Sequence, residues 1–185
     1  MKVSRMLVAA VACASCVLSA CSNTTAGSDS PATAAASARA AVAQPGNVCD
    51  RKLLSAEDAA GILGKPIVGT KPLKGDAQTC YFITADDERG GAELMVSLRP
   101  GLGVATIASF KSGKMNEYVT WVPLTGVGDE AVWKPDLREV TAQKNNVLCE
   151  VRPSPLGISP ELANAGETAQ QQKLGALCNK IFAAH

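Results

Sequence analysis

The chain has 185 residues, with 18 Lys and Arg, 17 Asp and Glu, one His and a formal charge of +1. That length fits one domain of ordinary size, the near-zero charge gives no clustered basic surface for nucleic acid, and a single His removes most His-based catalysis and His-rich metal sites. Seven cysteines is an odd number, so each one needs a place.

The first segment reads as an address. Lys2 and Arg5 form a short basic region, and Met6 to Leu18 is an apolar run of 13 residues. That run is too short to span a bilayer as a helix. It ends in Leu18-Ser19-Ala20-Cys21, which resembles a bacterial lipobox. Small side chains at 19 and 20 leave the backbone open to a peptidase, and the Cys21 thiol can take a diacylglycerol. The resemblance to bacterial lipoproteins implies that residues 1–20 are a signal peptide and that Cys21 becomes the acylated N-terminus. The alternative is an ordinary secretory peptide that ends in Cys, but those prefer Ala-x-Ala before the cut. Acyl chains contribute about 0.8 kcal/mol per buried methylene, enough for stable anchoring without a transmembrane helix. No later run reaches 18 apolar residues, so the lipid is the expected membrane partner. Ser22 follows the lipid Cys. In a Gram-negative envelope this resembles the signal for the outer membrane, with the domain facing the periplasm. In a Gram-positive cell it implies the outer face of the only membrane.

Residues 21–46 comprise that Cys and a stretch rich in Ala, Ser and Thr with almost no large apolar side chain. Such a segment cannot bury enough surface to offset ordering entropy, so it is expected to be a disordered tether. A flexible chain of that length spans roughly 25–30 Å. Pro45-Gly46 marks its end, and residues 47–185 are expected to form a single domain. Loss of the signal removes Lys2 and Arg5, leaving 16 basic and 17 acidic side chains.

The cysteines then divide. Cys13 and Cys16 leave with the signal, Cys21 carries lipid, and Cys49, Cys80, Cys149 and Cys178 remain. Four cysteines in an exported chain imply two disulfides, with three possible pairings. Cys49–Cys80 and Cys149–Cys178 are preferred, because each pair brackets one half of the domain. Each loop is worth roughly 3–4 kcal/mol by chain entropy. A zinc site is disfavoured, since the spacings are far from C-x₂₋₄-C.

Ser55-Ala-Glu-Asp58 resembles an N-cap with acids in the first turn, and Gly64-Lys65-Pro66 stops the helix that follows. Thr79 to Thr84 predicts a strand, 86–91 a polar turn, and Leu94, Val96 and Leu98 a half-buried strand. Val104 to Met115 predicts a helix burying Val104, Ile107, Ala108 and Met115. Gly126 to Trp133 is a glycine-hinged turn leading into a strand. Glu139 to Gln143 and Val147 to Arg152 flank a hairpin turn at Lys144-Asn145-Asn146. A long helix from about Pro160 carries Leu174, Leu177, Cys178, Ile181 and Phe182 on one face. The order α-ββ-α-ββ-α predicts an α+β fold, an antiparallel sheet with helices packed on one face.

A wider resemblance rests on the lipobox, the tether, Cys49 followed by Leu53-Leu54-Ser55-x-Glu57-x-Ala59-Ala60-x-x-Leu63-Gly64, then Cys80-Tyr81, and Gly126-Val127-Gly128-Asp129-Glu130-Ala131. Together they resemble small envelope lipoproteins common in actinobacteria, over roughly Cys49 to Arg152. The second Cys pair, towards the C-terminus, departs from that pattern. The resemblance implies a compact α+β lipoprotein domain and supplies no catalytic residue.

No catalytic motif emerges. His185 follows Phe182 and two alanines and is expected to fray, so it is a poor general base. Oxidised cysteines are not nucleophiles, and no Gly-x-Ser-x-Gly elbow is present. Asp86, Asp87 and Glu88 lack an EF-hand pattern and read as a solvated turn. Asp129 is expected to cap local N–H groups. Tyr118, Trp121 and Trp133 concentrate three of seven aromatics in 16 residues. Core packing accounts for this, and an exposed patch for a glycan, a peptide or an envelope protein is the functional alternative. The expected function is therefore a non-enzymatic binding or interaction module at the envelope, with no metal and no cofactor. The alternatives are a cell-wall hydrolase using two of Glu117, Asp129 and Glu130, or an inhibitor or immunity lipoprotein.

Overall fold

The computed structural model describes residues 47–85, 91–113, 119–155 and 157–185. The signal, Cys21 and the tether lie outside them, as do Asp86 to Glu88, Met115, Glu117 and Tyr118.

Helix α1, Ala56–Leu63, starts where the sequence indicates. The Ser55 hydroxyl accepts the Asp58 N–H at 3.1 Å, and the Asp58 carboxylate accepts the Ser55 N–H at 3.1 Å, which closes a capping box. Gly64 ends the helix at φ 67°. A Cβ there would lie 2.5 Å from the Ser159 Cβ, so both the backbone angle and the close approach require glycine.

Seven strands follow in two meanders. The first is β1 Ile67–Leu73, β2 Asp76–Thr84 and β3 Glu93–Pro100. Helix α2, Gly103–Lys111, then crosses to the far edge, where β4 Val122–Leu124 begins the second meander. It runs back through β5 Glu130–Lys134, a 3-10 turn at Pro135–Leu137, β6 Glu139–Lys144 and β7 Val147–Pro153. The meanders join where β7 pairs with β3, giving one antiparallel sheet in the order β1-β2-β3-β7-β6-β5-β4. Asn145 (φ 51°) and Asn146 (φ 61°) are both left-handed, the conformation that a tight β6–β7 hairpin needs. The chain closes with α3 Pro160–Asn164 and α4 Glu167–Ala184.

The α+β class, the antiparallel sheet and the two disulfides agree with expectation, and several finer points differ. Three strands precede α2 and four follow it. The expected single last helix is two, broken at Gly166 with φ 85°. Helix α2 buries Gly103, Ile107 and Phe110, while Val104 is 55% exposed. Phe110, three residues after Ile107, offers more apolar surface than Val104 and so sets which face turns inward.

Helices also occupy both faces of the sheet. Leu94, Val96, Leu98, Val140, Ala142, Cys149, Val151 and Trp133 form one apolar face under α1 and α4. Alternation puts Val132 on the other face, where it packs with Ile107 and Phe110 of α2. Both disulfides belong to the apolar side. Cys49–Cys80 ties the N-terminal segment to β2, and Cys149–Cys178 ties β7 to α4. Lys180 reaches Asp58 at 2.6 Å and links α4 to the start of α1.

The bond from β7 to α4 closes a loop of sequence separation 29 and should dominate α4 docking. Replacing both Cys149 and Cys178 with Ala is expected to cost about 2–5 kcal/mol in denaturant unfolding. A loss under about 1 kcal/mol would show that packing alone holds α4.

Candidate functional site

The second face of the sheet is polar. Strand register lines up Thr79, Ser97, Glu150, Thr141 and Val132 in one cross-strand row. A neighbouring row carries Tyr81, Met95 and Arg152, and Lys134 sits opposite Glu139. Charges on a buried face must be paired to be tolerated, and here they are. Arg99 contacts Asp76 at 2.6 Å and Glu150 at 3.8 Å. Lys134 contacts Glu139 at 2.5 Å and lies 4.8 Å from the Phe110 ring centroid, under α2. Thr141 donates to Glu139 at 2.9 Å, and Thr79 donates to Asp76 at 2.9 Å.

Two carboxyls in this network shift in opposite directions. Burial pushes Glu150 up and the nearby Glu139 charge adds to it, outweighing Lys134, Arg99 and Arg152. Burial also acts on Asp76, but the Gln78 N–H, the Thr79 hydroxyl and Arg99 overcome it and hold Asp76 down. Asp76 therefore contributes stability that is present above the ordinary carboxylate value and lost as pH falls through its depressed one. Glu150 does the reverse.

Helix α2 makes its main contacts with β5, β6 and β7. The polar face also holds a groove of about 550 Å³, within the size range of ligand pockets. Tyr81, Met95 and Arg152 supply its sheet side. Leu137 and Arg138 at the end of the 3-10 turn and Pro153 to Pro155 at the end of β7 continue the lining. Glu93 and Asp136 also line it, and Lys71 pairs with Glu93 at 2.6 Å.

The residues singled out from sequence fall mostly elsewhere. Trp133 is 1% exposed in the apolar core, and its indole N–H donates to Glu167 of α4. It therefore cannot join a surface patch with Trp121. Trp121 is half-buried against Phe110 on the opposite side, ring centroids 6.1 Å apart, and Tyr118 is outside the described residues. The aromatic cluster in the sequence is thus divided by the sheet: residues on either side of one strand pairing serve different cores.

Asp129 accepts the Asn145 N–H at 2.8 Å and caps the hairpin. Glu130 pairs with Lys111 at 2.5 Å. Neither lines the groove, and Glu117 is outside the described residues. His185 does not dangle: its Nδ1 lies 2.5 Å from Arg51 Nη2, and burial together with the Arg51 charge lowers its pKa. Among the described residues no group of three metal-binding side chains occurs, and no helix is long and apolar enough to cross a membrane. Comparison with protein-family models, curated proteins and solved structures returned no match.

Sequence reasoning passed over Arg152, Met95, Tyr81 and Arg138. One signal was present. In β7, Glu150 and Arg152 alternate with Cys149 and Val151, and a central strand alternating charge with apolar residues marks a polar sheet face.

Glu150→Gln checks the electrostatics. The raised carboxyl makes wild-type stability decline as pH rises from 4.5 through the folded value, because the folded state holds the proton more tightly. Urea unfolding across that interval should show a shallower decline for the variant. Identical slopes would contradict a raised Glu150.

Proposed function

We propose that this is a lipid-anchored protein of the bacterial envelope whose domain is a non-enzymatic binding module, with the groove on the polar sheet face as its ligand site. The anchor rests on the lipobox at Leu18 to Cys21 and the basic and apolar segments before it. The small-residue tether positions the domain outside the membrane, facing the periplasm in a Gram-negative cell or the exterior in a Gram-positive one. Its likeness to small actinobacterial envelope lipoproteins supports the same placement.

The observation that carries the binding role is the groove itself: about 550 Å³, lined by Tyr81, Met95, Leu137 and two arginines. Apolar surface with a few convergent polar groups is what a small-ligand site needs. A hydrolase is less well supported. Glu130 is taken up by Lys111 and Asp129 by a turn, while Glu139 and Glu150 are engaged by Lys134 and Arg99 and do not line the groove.

Two experiments separate anchor from groove. Cys21→Ser should move the protein from the membrane fraction to the soluble fraction, and unchanged membrane retention would remove the lipid anchor. Met95→Trp should fill the sheet side of the groove. After incubation with the low-mass fraction of an envelope digest, native mass spectrometry should detect a bound adduct on the wild type and none on the variant. No adduct on either, or equal adducts on both, would dismiss the groove as the site.

A further inference from the structure

We infer that the groove recognises the free carboxylate of a short peptide, held between Arg138 and Arg152; this rests on the groove being the ligand site. Arg152 is half-exposed and lines the groove. Its contacts among the described residues are the Met95 sulfur at 3.7 Å and a Glu139 oxygen at 3.8 Å. Both are weak for a guanidinium with five donors. Glu139 is already held by Lys134 at 2.5 Å and by Thr141. The Arg152 fork therefore retains donor capacity on the groove side.

Arg138 adds a second cation to the lining. Its backbone is left-handed, at φ 49°, a conformation rare for a residue other than glycine, asparagine or aspartate. It caps the 3-10 turn by donating its N–H to Pro135 at 3.1 Å. Glycine would take that position without strain, so an arginine there carries a conformational cost, and it lines a cavity. Its side chain is exposed, with one long bond, 3.4 Å, from Nη1 to the Pro155 carbonyl.

Two guanidiniums in the lining of one groove can match an anion by charge-assisted hydrogen bonds, and arginine's planar fork suits a carboxylate. The rest of the groove narrows the choice. Glu93 is neutralised by Lys71, while Asp136 has no ion-pair partner among the described residues. A simple dianion would be repelled by Asp136. A peptide brings amide or ammonium donors for Asp136 as well as a carboxylate for the arginines. Met95, Leu137 and Pro153 offer apolar surface to its side chains.

The test uses the full detergent-solubilised chain and three probes: the tripeptide Ala-Leu-Ala as free acid, the same tripeptide as C-terminal amide, and hexanoate. Amide-resolved NMR titration reads both affinity and place. The free acid should shift β3, β7 and residues 135–138 saturably and bind about tenfold or more tighter than the amide. Arg138→Gly removes the side chain and relaxes the backbone, so it keeps the fold. It should lose that advantage for the acid and leave the amide unchanged.

Equal binding of acid and amide, both abolished by Met95→Trp, would overturn carboxylate recognition while the groove stands as a site. Hexanoate binding as tightly as the tripeptide acid would overturn the choice of a peptide. Groove shifts with none of the probes at about 10 mM would overturn the inference, whatever the envelope digest shows.

Discussion

The pairing of β3 with β7 is the contact on which the rest of the molecule depends. It joins strands from two meanders that are otherwise separate in sequence, with Leu94 opposite Pro153 and Pro100 opposite Val147. In that register Val96 meets Val151 in the apolar core, and Ser97 meets Glu150 on the polar face. A slip of one residue would exchange the two sets, placing Glu150 and Arg152 under α4 and the valines under α2. Cys149–Cys178 guards against it, because Cys149 can reach α4 only from the apolar side.

A sheet that is apolar on one face and charged on the other has to be covered unequally. Two helices and both disulfides lie over the apolar face, where buried area is the main source of stability. On the polar face α2 covers only part of the width, and its anchor is small: Ile107, Phe110 and Val132, with Trp121 beside them. Lys134 serves both environments, pairing with Glu139 and stacking on Phe110. The uncovered part of this face is where the groove lies. Its cations come from a strand and from a strained turn, so they are held by the scaffold and not by a mobile loop.

Legibility in the sequence followed locality. Helix α1 was readable because its capping box spans four residues, Ser55 to Asp58. The β6–β7 hairpin was readable because Asn145-Asn146 is a local turn signal. Strand β1 was missed because it is an edge strand exposed along nearly its whole length, so it shows no alternation, and Gly69 and Pro72 read as breakers. Strand β4 has only three residues, one of them Pro123. The last helix was read straight through Gly166, since apolar spacing on either side does not report a backbone angle. The groove was not legible at all. Tyr81, Met95 and Arg152 belong to three strands, and only the β2–β3 and β3–β7 registers bring them into one row. By contrast Tyr118, Trp121 and Trp133 are close in sequence, yet the two tryptophans are separated by the sheet.

The same edge strands that hid from sequence reasoning bear on how copies of the chain behave together. An open sheet has two unpaired edges, and each could template another molecule's strand. Here both are interrupted. Strand β1 carries Pro72, which has no N–H to donate, and its register shifts at two places along its pairing with β2. Strand β4 is short and carries Pro123. Neither edge offers a long, even row of donors and acceptors to a neighbour. At the high local concentrations that the proposed lipid anchor would impose, that would favour independent domains over edge-to-edge association.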